Sequence, residues 1–155
     1  MSIFDELSFR EKSILISMLA QVLIFGNYFA ELLGAAAEPG LGAMLSAMIG
    51  AIIALIVVEI LFHAAIAIFD RSEAESQPAD ERDRMISGRA SVISRFLLSG
   101  GVLLVLGHLL VNGALLESGD VRGVTLFEVA NLLLFVFVLS EIVHYGAQLW
   151  FYRRG

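Results

Sequence analysis

The sequence contains no cysteine, and only 17% of its 155 residues are charged. The absence of cysteine excludes disulfide bonds, thiolate metal sites and thiol redox chemistry. A soluble domain of this length would have nearer a quarter of its residues charged. The chain also lacks a phosphate-binding glycine loop, a Gly-x-Ser-x-Gly motif and any aspartate inside its apolar segments. The usual signs of a nucleotide-binding protein or a serine hydrolase are therefore missing.

Long apolar segments dominate the chain instead. Hydrophobic residues make up 58% of the sequence, and the mean hydropathy is +0.84. A helix needs roughly 20 residues to cross a hydrocarbon layer about 30 Å thick. Four segments are that long, at residues 13–36, 43–69, 92–116 and 125–151. We therefore predict an all-α integral membrane protein, with a single transmembrane domain over residues 1–155 folded as a four-helix bundle.

The basic residues lie almost entirely on one side of these spans. All the Lys and Arg residues except Arg122 precede the first span, follow the last one, or lie between the second span and the first turn of the third, where Arg95 is found. The positive-inside rule then places both termini and the central loop in the cytoplasm. We predict a multi-pass protein of the bacterial inner membrane. A dual-topology transporter would need a more even distribution of charge.

The two halves of the chain resemble each other. VEILFHAAIAIFDR (58–71) aligns without gaps on SEIVHYGAQLWFYR (140–153), and LIFGNYFAE (23–31) aligns on LVLGHLLVN (104–112). Two helices per copy make the copies parallel, with a symmetry axis along the membrane normal. We therefore expect two tandem helical hairpins related by a pseudo-twofold axis.

The second span carries small residues at every fourth position, at Ser46, Gly50 and Ala54, with Ala51 beside them. In lipid, such faces let helix backbones approach closely. We expect this face to pack within the chain.

The central loop is the one sizeable polar segment. Pro78 and Asp80 can begin a helix, and the acidic residues after them suit the positive end of its dipole. Apolar residues then recur at helical spacing, which predicts an amphipathic cytoplasmic segment over 78–92 that runs into the third span. The wider stretch 70–95 is a candidate contact for a cytoplasmic partner. DERDRMISGRA (80–90) resembles a juxtamembrane segment of an uncharacterised group of small prokaryotic predicted membrane proteins, a resemblance that implies no activity.

Ionisable side chains lie inside the predicted spans, where a charged group costs about 2.5–3.5 kcal/mol to insert. All three histidines are among them, at His63, His108 and His144. Glu59, His63, Glu141 and His144 fall on the cytoplasmic side of the membrane centre, at related positions in the two copies. Such groups are expected to face the bundle interior and pair with each other. We predict that these four residues form an intramembrane site.

A second polar layer lies nearer the outer face. At 1.5 Å per residue, the two layers are separated by roughly 10 Å. The second layer would form an outer site or an access path. Its members are Asn27, Glu31, His108, Asn112 and Asn131.

Three chemical roles for the inner site stay open. Imidazole and carboxylate groups suit a divalent transition metal such as zinc, iron or manganese. EIVH (141–144) matches the Glu-x-x-His motif of di-iron bundles, but the other copy reads Glu-x-x-x-His (59–63) and further carboxylates at that depth are missing. A haem between His63 and His144 is less favoured, because no feature of the sequence indicates a porphyrin pocket. In the third role, the site is a proton or cation relay.

The sequence favours a small membrane protein whose Glu/His site binds a cation, either a transition metal or protons, in transport or sensing. The alternative is a non-catalytic partner-binding or regulatory protein whose buried polar residues only join helices, at about 0.6–2 kcal/mol per hydrogen bond. A metal- or haem-dependent membrane enzyme is a further alternative, but no catalytic residue is predicted and a non-enzymatic role is favoured. Membrane lipids are the expected partners, self-association is left open, and no nucleic-acid binding is expected.

Overall fold

A computed structural model of the chain describes residues 7–34, 40–69, 80–119 and 123–154. These ranges contain four helices and no strand. All four helices are long and apolar enough to cross a membrane. The prediction of an all-α integral membrane protein with four spans is therefore confirmed. The helices are α1 (Phe9–Gly34), α2 (Leu41–Phe69), α3 (Glu81–Ser118) and α4 (Leu126–Arg154).

The bundle consists of two tandem hairpins, as predicted, because α1 packs against α2 and α3 packs against α4. The hairpins meet through α1 and α4. At the centre of that interface lie the buried side chains of Phe25, Tyr28 and Val138, with Met48 of α2 packed against them. A strict twofold axis would relate α1 to α3 and α2 to α4, so an α2–α3 interface would have to match the α1–α4 interface. The helices α2 and α3 do not form a main interface. The pseudo-twofold relation between the hairpins is therefore approximate.

The outer surface of the bundle is apolar. Leu23, Phe96, Leu104 and Leu110 are between 69% and 76% exposed, and many other large hydrophobic side chains point outward with them. A water-soluble monomer rarely exposes a continuous apolar surface of this extent. This surface is suited to contact with the acyl chains of lipids.

The third helix begins at a complete N-terminal cap. The Asp80 side chain accepts a hydrogen bond from the backbone N–H of Glu81, and the backbone N–H of Asp80 donates to Asp83. This capping box confirms that Asp80 begins a helix. At 1.5 Å per residue, the 38 residues of α3 are about 57 Å long, well beyond a 30 Å hydrocarbon layer. Residues 81–95 therefore extend outside the hydrocarbon, whereas the rest of the predicted partner segment, 70–79, lies outside the described residues.

The helix α3 approaches α4 closely at Gly101, where an added Cβ would overlap the Val136 side chain. The small residues of α2 do not form a close helix–helix contact of this kind. Ser46, Gly50 and Ala54 are exposed, and the space around a Cβ at Gly50 is open. The expectation that this face packs within the chain is wrong in the described part of the protein. The main neighbour of α2 is α1, which contacts the face that carries Ala51 instead.

Candidate functional site

The carboxylate of Glu59 contacts polar side chains of two helices inside the spans. Ser17 Oγ donates a hydrogen bond of 2.8 Å to Glu59 Oε2. His63 Nδ1 lies 3.3 Å from the same carboxylate oxygen and 2.9 Å from the Glu59 backbone oxygen. Ser13 Oγ lies 3.2 Å from the other ring nitrogen, Nε2. We call these residues, together with Tyr145, the Glu59 cluster.

The helix periodicity brings the cluster together. Ser13 and Ser17 are four residues apart on α1, and Glu59 and His63 are four residues apart on α2. Residues at this spacing occupy one helix face, one turn above the other. Because α1 and α2 are antiparallel neighbours, the first serine meets the histidine and the second meets the glutamate. Two adjacent turns of α1 thus form hydrogen bonds with two adjacent turns of α2.

The contacts of His63 fix its tautomer. Its Nδ1 faces two acceptors, the backbone oxygen and the carboxylate of Glu59, so this nitrogen carries the proton. In the neutral ring, Nε2 is then an acceptor, and the Ser13 hydroxyl donates to it. In the charged ring both nitrogens are donors, and the Ser13 hydroxyl has to turn and accept. The direction of this one hydrogen bond therefore depends on the protonation state of His63.

Tyr145 connects α4 to the cluster. Its hydroxyl interacts with the side chain of Ser17 and lies within electrostatic range of both Glu59 and Glu141. Both carboxylates that the sequence alignment pairs therefore act on this one hydroxyl. No hydrogen bond joins the Glu141 carboxylate itself to the cluster within the described ranges.

His144 belongs to a different face of α4. Its Nε2 lies 2.6 Å from Nε2 of Gln148, one turn further along. Ser140 is one turn before it, and Val136 one turn before that, where it packs against Gly101 of α3. The other ring nitrogen, Nδ1, is buried and has no hydrogen-bond partner among the described residues. Since successive helix residues are rotated by about 100°, His144 lies on a different side of α4 from Tyr145, which reaches Ser17 of α1.

The four residues of the predicted inner site are thus only partly brought together. Glu59 and His63 contact each other, Glu141 acts electrostatically on Tyr145 as Glu59 does, and the hydrogen-bond contact of His144 is with Gln148 of its own helix. Within the described residues, no three His, Asp or Glu side chains form a group that could hold a metal ion. The metal-site prediction therefore receives no support from this geometry.

The outer polar residues separate into three independent contacts. The amide of Asn27 donates to the carboxylate of Glu31 at 2.8 Å, one turn along an exposed face of α1. The amide of Asn112 donates to the backbone oxygen of His108 at 2.9 Å, beside the imidazole. Asn131 accepts a buried hydrogen bond of 2.6 Å from the hydroxyl of Tyr28. The first two contacts lie within one helix, and only the third joins two helices.

A further polar contact lies at the end of the bundle that carries the starts of α1 and α3 and the end of α4. Arg10 Nη1 lies 2.8 Å from Asp83 Oδ2, and the hydroxyl of Tyr152 donates to Asp83 Oδ1 at 2.7 Å. Burial of the Asp83 carboxyl opposes its ionisation. The hydrogen bonds from Tyr152 and the Asp80 backbone and the charge of Arg10 outweigh that effect and lower the pKa of Asp83. We call Arg10, Asp83 and Tyr152 the Asp83 clasp, and the end of the bundle that holds it the termini end.

Sequence reasoning missed the hydroxyl partners of the cluster, Ser13, Ser17 and Tyr145. One signal could have found the serines, because their spacing on α1 equals that of Glu59 and His63 on α2. Tyr145 follows His144 directly and carries no separate signal. Comparison with known proteins adds no residue to the site: no protein-family model, no curated protein and no solved structure matches the chain.

Proposed function

We propose that the Glu59 cluster binds and releases a proton, and that the protein uses this step in transport or sensing at the membrane. The supporting observation is the Glu59 carboxylate itself, held inside a predicted span by a hydroxyl of α1 and by the imidazole of His63. One acid and one base in contact share a proton, and an imidazole changes its charge between about pH 5 and 8. Serine hydroxyls and a tyrosine hydroxyl around them can both donate and accept.

The depth of the cluster supports this role. The apolar span of α2 covers Leu41–Ala65, so Glu59 is about 9 Å from its midpoint and His63 about 15 Å. Half the thickness of the hydrocarbon layer is also about 15 Å. The His63 side chain is 54% exposed, whereas that of Glu59 is only 25% exposed. A proton can thus arrive from the interface at His63 and pass to Glu59, which lies deeper.

Charge neutrality explains why the pair can exist at this depth. An isolated charge in the hydrocarbon is costly, but a carboxylate beside an imidazolium is neutral overall, as is a carboxylic acid beside a neutral imidazole. Uptake of one further proton leaves a net positive charge inside the bundle. When the proton goes to a neutral imidazole, it also reverses the hydrogen bond between Ser13 and His63, and the α1–α2 contact changes with it.

The competing role is structural. The hydrogen bonds of Glu59 and His63 to other helices go to α1, the nearest neighbour of α2, so they could serve only to join the two helices. Interhelical hydrogen bonds in membranes contribute about 0.6 kcal/mol on average. A structural role requires the hydrogen bonds, whereas proton binding requires the acidic group.

Two substitutions separate these roles. Glu59→Gln keeps an oxygen that can accept from Ser17 but cannot bind and release the proton, and Glu59→Leu removes the polar group altogether. Glu117→Gln is the matched control, because Glu117 is an exposed glutamate near the end of α3 that belongs to neither predicted polar layer. Histidine resonances of isotope-labelled protein would be followed by NMR between about pH 5 and 8, with His63 assigned from a His63→Gln variant. Proton flux would be measured in liposomes with an internal pH dye.

For a proton-binding site, we expect Glu59→Gln to change the titration of His63 and to abolish any proton flux, with little loss of thermal stability. Glu59→Leu should have both effects and also lower the stability by about 1 kcal/mol. Glu117→Gln should match the unmodified protein. If Glu59→Gln leaves titration and flux unchanged and only Glu59→Leu has an effect, on stability alone, the cluster is structural.

A further inference from the structure

A groove with a volume of about 580 Å³ lies at the termini end, along the part of α3 that extends outside the hydrocarbon. It is lined by one face of α3, with Arg84, Ser87, Ser91 and Arg95, and by Arg10 of α1. Positions 84, 87, 91 and 95 recur every three or four residues, so they form one stripe along the helix. The groove is separate from the Glu59 cluster and shares no residue with it.

The groove has an excess of positive charge. Asp83 also lines it, but both of its carboxylate oxygens are occupied, one by Arg10 and the other by Tyr152. Arg84 and Arg95 are exposed and have no acidic partner in the parts of the chain that the structure describes. With Arg10 balanced by Asp83, these two guanidinium groups leave a net charge of about +2. An anion is the ligand that this composition favours.

An apolar groove continues from the basic one. It has a volume of about 310 Å³ and is lined by Val92, Arg95, Phe96 and Ser99. Val92 and Arg95 line both grooves. The Phe96 ring is 76% exposed. A ligand lying along α3 would therefore meet arginine and serine side chains at one end and an aromatic and aliphatic surface at the other.

The position of Arg95 places this change of polarity at the membrane surface. Arg95 is the last charged residue before the apolar run that begins at Phe96. Arg84 is eleven residues earlier, or about 16 Å further out along the helix. The headgroup region is roughly 5–7 Å thick on each side of the hydrocarbon. Arg95 therefore lies at the level of the lipid phosphates, whereas Arg84 lies further out, beside the aqueous end of the groove.

We propose that the two grooves together bind one anionic phospholipid. Its phosphate lies beside Arg95, whose guanidinium can donate paired hydrogen bonds, and the hydroxyl of Ser91 adds a further polar contact. Arg84 and Ser87 line the outer part of the groove, into which a polar headgroup extends. Its acyl chain lies along Val92 and Phe96. Free phosphate shares the chemistry of the headgroup. The adjoining apolar groove and the position of Arg95 at the membrane surface favour a lipid instead.

The test is native mass spectrometry of the full chain in mixed micelles, with the retained lipid counted against lipid concentration. The probes are phosphatidylglycerol, phosphatidylcholine and inorganic phosphate, each alone. The variant is Arg84→Gln/Arg95→Gln. The matched control is Arg82→Gln/Arg89→Gln, which removes the same charge from the same helix at two exposed arginines that do not line either groove. Circular dichroism and thermal unfolding of each variant show whether the helix is intact.

Diffuse attraction of an anionic lipid is about five-fold per basic residue near a membrane surface, and both double variants lose it. Only Arg84→Gln/Arg95→Gln also loses charge-assisted hydrogen bonds to the phosphate, which strengthen binding by a further factor of about 10–100. We therefore expect this variant to weaken phosphatidylglycerol binding at least about 10-fold more than the control pair does. Phosphatidylcholine and inorganic phosphate should bind weakly. An equal effect of both double variants would mean that charge acts diffusely and would overturn the site. Retention of inorganic phosphate as tightly as the lipid, or of phosphatidylcholine as tightly as phosphatidylglycerol, would also overturn it.

Discussion

The contact between Gly101 and Val136 gives the sharpest test of how the second hairpin packs. A Cβ at Gly101 would overlap both methyl groups of Val136, whereas a Cβ at Gly100, the preceding residue, meets open space. Both glycines lie inside α3, in the same apolar run. Gly101→Ala and Gly100→Ala therefore add the same methyl group to the same helix, and only one of them meets α4.

The expected size of the effect follows from this pairing. Alanine stabilises a helix interior by about 0.8–1 kcal/mol relative to glycine, and both variants gain that amount. Overpacking of a filled interface costs typically 1–3 kcal/mol. The helix term cancels in the difference between the variants, so Gly101→Ala should be about 1–3 kcal/mol less stable than Gly100→Ala.

Reversible unfolding in detergent measures this difference directly, with helix content followed by circular dichroism. Gly100→Ala should be as stable as the unmodified protein or slightly more stable. The double variant Gly101→Ala/Val136→Ala should recover much of the loss, because it removes the side chain that is overlapped. Equal stability of the two single variants would refute the close approach of α3 and α4 at this point.

Two further substitutions test the contacts between the hairpins. Tyr28→Phe leaves the buried oxygen of Asn131 without its 2.6 Å donor, and we expect a loss of about 0.6–2 kcal/mol, partly restored by Tyr28→Phe/Asn131→Leu in thermal unfolding. A double variant no more stable than Tyr28→Phe would contradict this account. Because the pKa of Asp83 is lowered in the folded protein, its carboxylate contributes fully to the free energy of unfolding above the ordinary pKa of 3.8. That contribution is lost as the pH falls through the lowered pKa. Unfolding at successive pH values should show this acid loss, of up to about 1 kcal/mol, in the unmodified protein and not in Asp83→Asn.

The span count and the hairpin order were predictable because they depend on the length and spacing of apolar segments. Hydropathy sets where helices cross lipid, and the short connections set which helices are neighbours. The N-terminal cap at Asp80 was predictable for a similar reason, since the capping box is a local pattern of side chains. Each of these features needs only residues close together in the sequence.

The rotation of each helix was not predictable in the same way. A helix in lipid can expose apolar residues on every side, so the hydropathy of α4 does not reveal which face meets which neighbour. His144 and Tyr145 are adjacent, yet His144 contacts Gln148 of its own helix and Tyr145 reaches Ser17 of α1. A rotation of about 100° per residue separates them. The alignment paired Glu59 with Glu141, but it could not show that Tyr145 and not His144 reaches α1.

Gln21 offers a test of whether polar groups beyond the Glu59 cluster are retained for function. It lies one turn from Ser17 towards the membrane centre, is only 5% exposed, and its Oε1 has no hydrogen-bond partner among the described residues. Burying an unpaired polar group costs about 1–3 kcal/mol, so Gln21→Leu should keep or raise the stability, whereas Ser17→Ala should lower it by breaking the bond to Glu59. Loss of proton flux in a stabilised Gln21→Leu protein would extend the proton path past the cluster. Destabilisation by Gln21→Leu would instead mean that this amide has a structural partner.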